Sequence, residues 1–267
     1  GVRLFADVRG RDPADPAFQS YVKEIVGHPA LLAWYTNDER PVTDLPKLQA
    51  LYDYLRDRDP EHFVWTVLDR LFDLREFTCS YDALGVDPYP IGRYRHMRPR
   101  HVAELYAGAK ECVFNARPFF NVPQMFSWNG AKPDDDLNRF PTYEEIRSMT
   151  WQHIALGARG IVGYSYHDIG RCAKVRPDEA ARRWQILVKV MREVAEAAPV
   201  LLSIEPAPTV KGVPETCLAR TWRKDGATWL CVCNLDEKAG VTVALSVGGR
   251  AIREELPPLG VVFRRLD

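Results

Sequence analysis

An excess of either charge is what this sequence most plainly lacks. Lys and Arg together number 36 and Asp and Glu also 36, giving a formal net charge of zero and a pI near 7.2. A nucleic-acid or anionic-membrane partner needs a concentrated basic surface, so neither is expected. No apolar run approaches the roughly 20 residues that cross a bilayer. Paired cysteines are absent too. Cys79, Cys112, Cys172, Cys217, Cys231 and Cys233 lie scattered with no CxxC spacing, which leaves no zinc motif to recognise. Cys231 and Cys233 fall on one face of a strand and are read as small hydrophobes, ahead of a disulfide involving Cys217. Cysteine usage therefore leaves the compartment undecided, with a secreted or periplasmic location weighed above a cytoplasmic one. No signal peptide opens the chain, which begins inside a strand-like run, so any targeting segment would lie upstream. Glycine-rich phosphate turns, His-x-His pairs and a lysine at a strand end are missing as well. Nucleotide-binding, metallo-hydrolase and Schiff-base classes thus lack their marks, and no metal or cofactor is expected.

What the sequence does contain is ordinary globular material, 46% hydrophobic and 27% charged, arranged with a clear alternation. Strand-like runs are expected at Val2–Val8, Leu31–Thr36, Phe63–Leu68, Ala83–Asp87, Phe119–Pro123 and Gly160–Ser165. Helical patterns lie between them at Phe18–Val26, Leu45–Arg56, Val102–Cys112 and Tyr143–Leu156, with a long final one at Glu179–Ala197. Strand, helix, strand in succession predicts parallel pairing through right-handed crossovers, an α/β fold. An open doubly wound sheet and a closed barrel both fit. The long, aromatic and charged loops after the strands favour the barrel, which concentrates function in its strand-to-helix loops. Six strand–helix units are counted where a closed barrel has eight, so either the first two units are missing from this chain or the fold is not a complete barrel; the expectation is a (β/α)8 TIM-type barrel over residues 1–204 with the first two units missing.

Past Pro199 the pattern becomes short alternating runs, at Cys217–Arg223, Thr228–Asn234, Val241–Val247 and Val261–Leu266. Lys224-Asp225-Gly226 and Gly248-Gly249 separate them as hairpin turns. A small antiparallel β-sandwich over residues 205–267 is expected, with a structural role.

Four segments carry candidate chemistry. In His28-Pro29-Ala30-Leu31-Leu32-Ala33-Trp34-Tyr35-Thr36-Asn37-Asp38-Glu39-Arg40-Pro41, a buried strand ends on three polar residues. A carboxylate there would project into a barrel mouth, and burial beside Trp34 or Tyr35 would raise its pKa, as a general acid requires. Alternatively, Asp38 and Glu39 cap the next helix or pair with Arg40. In Tyr81-Asp82-Ala83-Leu84-Gly85-Val86-Asp87-Pro88-Tyr89-Pro90, Asp87 ends a strand and Tyr89 offers a stacking face and a hydroxyl; the same residues also make a good rigid turn.

These stretches resemble glycoside hydrolases with clan-A-like barrels. The first is similar to their "HPALxGWYxxDEP" segment after the fourth strand, and the resemblance implies Glu39 as acid/base, with Asn37 or Asp38 on a sugar hydroxyl. It makes Val2–Val8 the third strand, in agreement with two missing units. The second resembles the sixth-strand "D-x-Y-P" rim. Phe119-Phe120-Asn121-Val122-Pro123-Gln124-Met125-Phe126-Ser127-Trp128 looks like the seventh strand, whose end carries the nucleophilic Glu of retaining enzymes. Here Gln124 stands near that position, and an amide cannot form a glycosyl ester. Gln124 and Trp128 are then read as sugar-lining groups. Gly157-Ala158-Arg159-Gly160-Ile161-Val162-Gly163-Tyr164-Ser165-Tyr166-His167-Asp168 resembles the eighth strand, with Tyr166, His167 and Asp168 at the rim. Asp168 or Asp87 would replace the missing carboxylate. Asp69, followed by Arg70, is a further rim candidate read as an ion pair, and Trp151, Trp184, Trp222 and Trp229 are taken as core. The implied activity is hydrolysis of a glycosidic bond in an oligo- or polysaccharide. The alternative is a decayed barrel that binds carbohydrate without cleaving it.

Overall fold

The computed structural model describes residues 3–267, so Val2 lies outside the described residues. The chain divides into two compact units. The first comprises residues 1–87 and 107–121, the second residues 88–106 and 122–267.

The first unit is a parallel sheet with helices against it. Strands β1 (Leu4–Asp7), β2 (Leu31–Asp38), β3 (Phe63–Val67) and β4 (Ala83–Gly85) pair in that order. A parallel bridge from Leu84 to Phe119 adds the run that ends in β5 (Phe120–Asn121). The strands are apolar on both faces (Trp34, Val64 and Leu84 are wholly buried), as a covered parallel sheet requires. Helix α1 (Pro16–Ile25) starts where Asp15 accepts a bond from the Ala17 amide at 2.9 Å, with proline in the first turn. It buries Phe18 and Val22, four apart on one face. Helix α2 (Leu45–Arg58) buries Leu48, Leu51 and Leu55. Both helices pack on the cluster of Ala6, Leu31, Trp34 and Val64. Two 3-10 turns, Leu71–Asp73 and Glu76–Cys79, occupy the stretch where no element is expected from periodicity.

Helix α3 (His101–Cys112) runs across the division. The second unit contains α4 (Tyr143–Ala155), β6 (Gly160–Ile161), α5 (Tyr166–Ala173) and α6 (Pro177–Leu201). A capping box between Thr142 and Glu145 starts α4. The expected strands around Gln124 and Tyr164 are reduced to a parallel bridge between those two residues. Helix α5 falls where a strand tip is expected to reach a rim. A closed barrel is not found among the described residues. The coarser expectation, consecutive parallel strands alternating with helices, is what the molecule shows.

Two three-stranded antiparallel sheets follow: β11 (Arg250–Leu256), β10 (Val241–Val247) and β7 (Val210–Lys211) in one, β12 (Val261–Arg265), β9 (Ala227–Asn234) and β8 (Cys217–Lys224) in the other. Their turns are those read from sequence. Asp225 and Gly226 both have positive φ, 52° and 79°, as do Gly248 and Gly249, 57° and 85°, the geometry of a type I′ hairpin. Strand β11 escapes sequence reading because its outward positions are Arg250, Arg253 and Glu255; only Ile252 and Leu256 face the shared core with Leu230, Val232, Val243 and Leu245. All six cysteines are free thiols, and Cys231 and Cys233 lie wholly buried with sulfurs 3.7 Å apart.

Candidate functional site

In the first unit, each of the strands β1 to β4 ends on a carboxylate or runs into one two residues on: Asp7 at the end of β1, Asp38 and Glu39 at β2, Asp69 past β3 and Asp87 past β4. Parallel pairing puts successive carboxyl ends at the same edge, so residues distant in sequence meet there. The tip of β2 is shaped by an irregularity. Its register against β3 slips between Tyr35 and Asn37, and Glu39 turns into the left-handed region at φ 53°, a conformation costly for a side chain with Cβ. Two bonds hold it there. The Glu39 amide donates to Val67 O at 2.9 Å, and the Arg40 amide donates to Asn37 Oδ1 at 3.1 Å. Asn37 is 1% exposed, and its Nδ2 has no hydrogen-bond partner. A buried amide donor of this kind is costly unless a ligand completes it.

The side chains at the tip fall into two groups. Arg9 gathers the first: its Nε and Nη2 donate to the two Asp7 oxygens at 2.9 and 2.8 Å, its Nη1 pairs with Asp38, and its guanidinium lies 4.5 Å from the Tyr35 ring centroid. The Arg9 bonds hold Asp7 below its ordinary range, and burial pushes the Tyr35 hydroxyl up. Asp38 is thus engaged with Arg9, not with Arg40, which pairs with Asp44 at 2.9 Å. In the second group the Glu39 carboxyl is hydrogen-bonded to Asp87, a residue only 6% exposed. Burial raises the Glu39 pKa, and the negative charges of Asp69 and Asp38 raise it further; the bond to Asp87 and the charge of Arg70 work the other way. Two carboxyls in contact are costly to ionise together. Asp69 itself lies 3.5 Å from Arg70.

The second unit holds an aromatic cluster. Tyr89 stacks on Tyr164 with centroids 5.7 Å apart and meets Phe126 edge-on at 5.0 Å, while Phe126 and Trp128 lie 4.9 Å apart. Arg93 caps the Trp128 ring at 5.0 Å, and the indole Nε1 is buried without a partner. Gly92 makes this approach possible: its φ is +87°, and a Cβ would stand 2.7 Å from Trp128 Cδ1. The loop beyond Trp128 is tied down by Arg183, itself 1% exposed, which donates to Asp134 at 2.9 Å and to Gly130 O at 3.0 Å.

Gln124 differs from its sequence reading as a sugar-facing amide. It is fully buried; its Oε1 accepts from Ile91 N at 2.8 Å, and its Nε2 donates to Ile91 O at 2.7 Å and Phe126 O at 3.2 Å. Those backbone bonds occupy the whole amide. Asp168 sits in the first turn of α5, where its carboxylate accepts from Ser165 Oγ at 2.5 Å and its amide donates to the same oxygen at 3.3 Å. Tyr166 and His167 are exposed on the same helix. Trp184, expected in the core, is 42% exposed with Tyr166 edge-on to it at 5.6 Å. Sequence reasoning did not single out Arg9, Arg183 or Tyr164. Tyr164 shares the alternation of Tyr166, and that alternation was the available signal. No group of metal-binding side chains occurs among the described residues.

No family model matches the sequence, and no curated protein is similar to it. Solved structures are. Cyclic α-maltosyl-(1→6)-maltose hydrolase from Arthrobacter globiformis matches with a TM-score of 0.55 at 12% identity, over 94% of this chain and 60% of its own. AmyP in complex with maltose matches with a TM-score of 0.58 at 10% identity, over 98% and 74%. Maltogenic amylase from S. marinus gives 0.52 at 11% identity, over 94% and 38%. The chain has the fold of glycoside hydrolases. It spans about three fifths of the length of the maltosyl-maltose hydrolase.

Proposed function

We propose that this chain carries the catalytic side of a glycoside hydrolase acting on an oligo- or polysaccharide, with Glu39 as general acid. The observation that carries the reading is the Glu39–Asp87 contact at the strand tips, where partial desolvation and the charges of Asp69 and Asp38 raise the Glu39 pKa above its ordinary value. A general acid has to hold its proton until the leaving oxygen takes it. Asp87 is the partner base: as the Glu39 proton passes to the leaving oxygen, Asp87 takes a proton from the attacking water and passes it to Glu39, which resets the pair. Retaining enzymes hold their two carboxyls about 5–5.5 Å apart and inverting ones about 6.5–9.5 Å, so a hydrogen-bonded pair has to part for a sugar ring to enter. Asn37 Nδ2 supplies an unspent donor for a sugar hydroxyl, and Asp38, held by Arg9, shapes the tip. Within the second unit, and apart from the strand-tip pair, Tyr89, Trp128 and Tyr164 offer faces for apolar sugar surfaces, as aromatic rings do. Asp168, spent on Ser165, is assigned to capping α5, and Gln124 to holding Ile91.

In the same reading, residues 1–204 are strands three to eight of a barrel and residues 205–267 a supporting β-sandwich. No helix among the described residues is long and apolar enough to cross a membrane, and carbohydrate is the partner proposed.

Aryl glycosides of both anomers, with α-glucosidic oligosaccharides included because AmyP is seen with maltose, form the test panel. Turnover that disappears in Glu39→Gln supports the assignment; a variant that cleaves as fast as the parent refutes it. The resemblance of the Phe119–Trp128 segment to a seventh strand supports a second reading, a barrel that binds sugar without cleaving it, because it puts an amide, Gln124, near the nucleophile position of retaining enzymes. Calorimetric sugar binding with no turnover across the panel would select that reading.

A further inference from the structure

The Gly157-Ala158-Arg159-Gly160 segment has no part in the strand-tip chemistry, yet it builds something at the amino-terminal end of β6. A cavity of about 490 Å³ opens there, lined among others by Arg159, Arg220, Trp222, Ser203, Thr221 and Glu205. A neighbouring cavity of about 260 Å³ shares Arg159, Arg220 and Trp222. The larger volume lies in the range of small-molecule pockets.

The arrangement of charge is unusual. Arg220 is half-buried, with its guanidinium 5.2 Å from the Trp222 centroid. Gly157 makes the room for it: at φ +103°, a Cβ there would stand 2.3 Å from Arg220 Nη1. The groups acting on Arg220 are Arg159, Tyr106 and Cys231, none of them a carboxylate, and both burial and Arg159 work against its positive charge. Among the described residues neither arginine has a carboxylate within ion-pairing distance. Glu205, the carboxylate in the lining, accepts from the Asp225 amide at 2.9 Å. Ser203 Oγ donates to Arg223 O at 2.5 Å, and Thr221 Oγ1 bonds Pro208 O. Two like charges, one of them partly desolvated, are costly side by side without a counter-charge. Planar guanidinium groups take carboxylate and phosphate oxygens in paired hydrogen bonds.

We propose that Arg159 and Arg220 form an oxyanion-binding site, which takes a carboxylate or phosphate carried by a small molecule. The site shares no residue with the strand-tip carboxylates and stands whether or not the chain cleaves sugars.

The test uses the whole chain, with thermal melting and calorimetry at matched ionic strength in chloride. Sodium phosphate and sodium glucuronate are the probes, and glucose is the neutral control. At least one oxyanion is expected to bind one-to-one and raise the melting temperature, while glucose does neither. Tighter glucuronate binding assigns an acidic sugar; tighter phosphate binding assigns a phosphorylated ligand. Arg159→Gln, at an exposed position, is expected to raise the melting temperature without ligand and to weaken oxyanion binding at least tenfold. Arg220→Gln is expected to abolish binding. The proposal falls if neither oxyanion binds beyond chloride, or if Arg159→Gln binds as tightly as the parent, a readout that holds even if Arg220→Gln does not fold.

Discussion

The strand ends of the two units treat polar side chains in opposite ways. In the first unit, Glu39 is held at a left-handed turn against another carboxyl, and Asn37 keeps a buried donor unspent. In the second, Gln124 places all its bonding capacity on the Ile91 and Phe126 backbone, and Asp168 and Ser165 satisfy each other. Groups that are strained, desolvated or unpaired cost stability and persist where function uses them; groups fully bonded to their own chain pin a loop or a helix. The contrast separates residues that resemblance alone treats alike, since it reads Glu39, Gln124 and Asp168 all as strand tips.

The largest effect that could break this contrast is on turnover. Glu39→Gln should lower kcat/KM on a cleaved aryl glycoside by about 10²–10⁴-fold without lowering the melting temperature, because a neutral amide relieves the repulsion of the Asp69 and Asp38 charges. A loss of stability in place of activity would put Glu39 with the structural groups. Gln124→Leu should do the reverse, costing about 2–4 kcal/mol in denaturant unfolding through the Ile91 amide and carbonyl left unpaired. Gln124→Glu should likewise destabilise, because a carboxylate would face two carbonyl oxygens, and should gain no activity. Ser165→Ala should cost about 1 kcal/mol as a lost helix cap, with turnover of the folded protein unchanged.

The smallest effect sharpens the comparison through pH. Glu39 works protonated and its pKa is raised, so activity should fall as pH rises through a value above the ordinary 4.5. Removing the Asp69 charge with Asp69→Asn should move that alkaline limb to lower pH, and Arg70→Gln should move it to higher pH, since those charges act in opposite directions on Glu39. Stability carries the same sign. The folded carboxyl keeps a proton that the unfolded chain releases, so stability falls as pH climbs from about the unfolded pKa to the folded one. A limb that ignores both substitutions would separate the rate from Glu39.

Much of the fold was legible in local patterning. The alternation of apolar strands with amphipathic helices marks the parallel α/β architecture, and Asp225-Gly226 and Gly248-Gly249 mark the hairpins, because those signals depend only on neighbours in the chain. Strand β11 was not, since its charged outward face hides a two-residue apolar face. Nor was α5, where Ser165 and Asp168 supply a helix start at the end of a strand-like run.

The sequence by itself determined which residue types stand in the candidate segments: a glutamate at 39, aspartates at 69, 87 and 168, an amide at 124. Tertiary structure decided what each of them meets. Whether a carboxyl meets another carboxyl, an arginine or a helix amide depends on register and on what packs beside it. Protonation and bonding follow from those contacts, which no local pattern encodes.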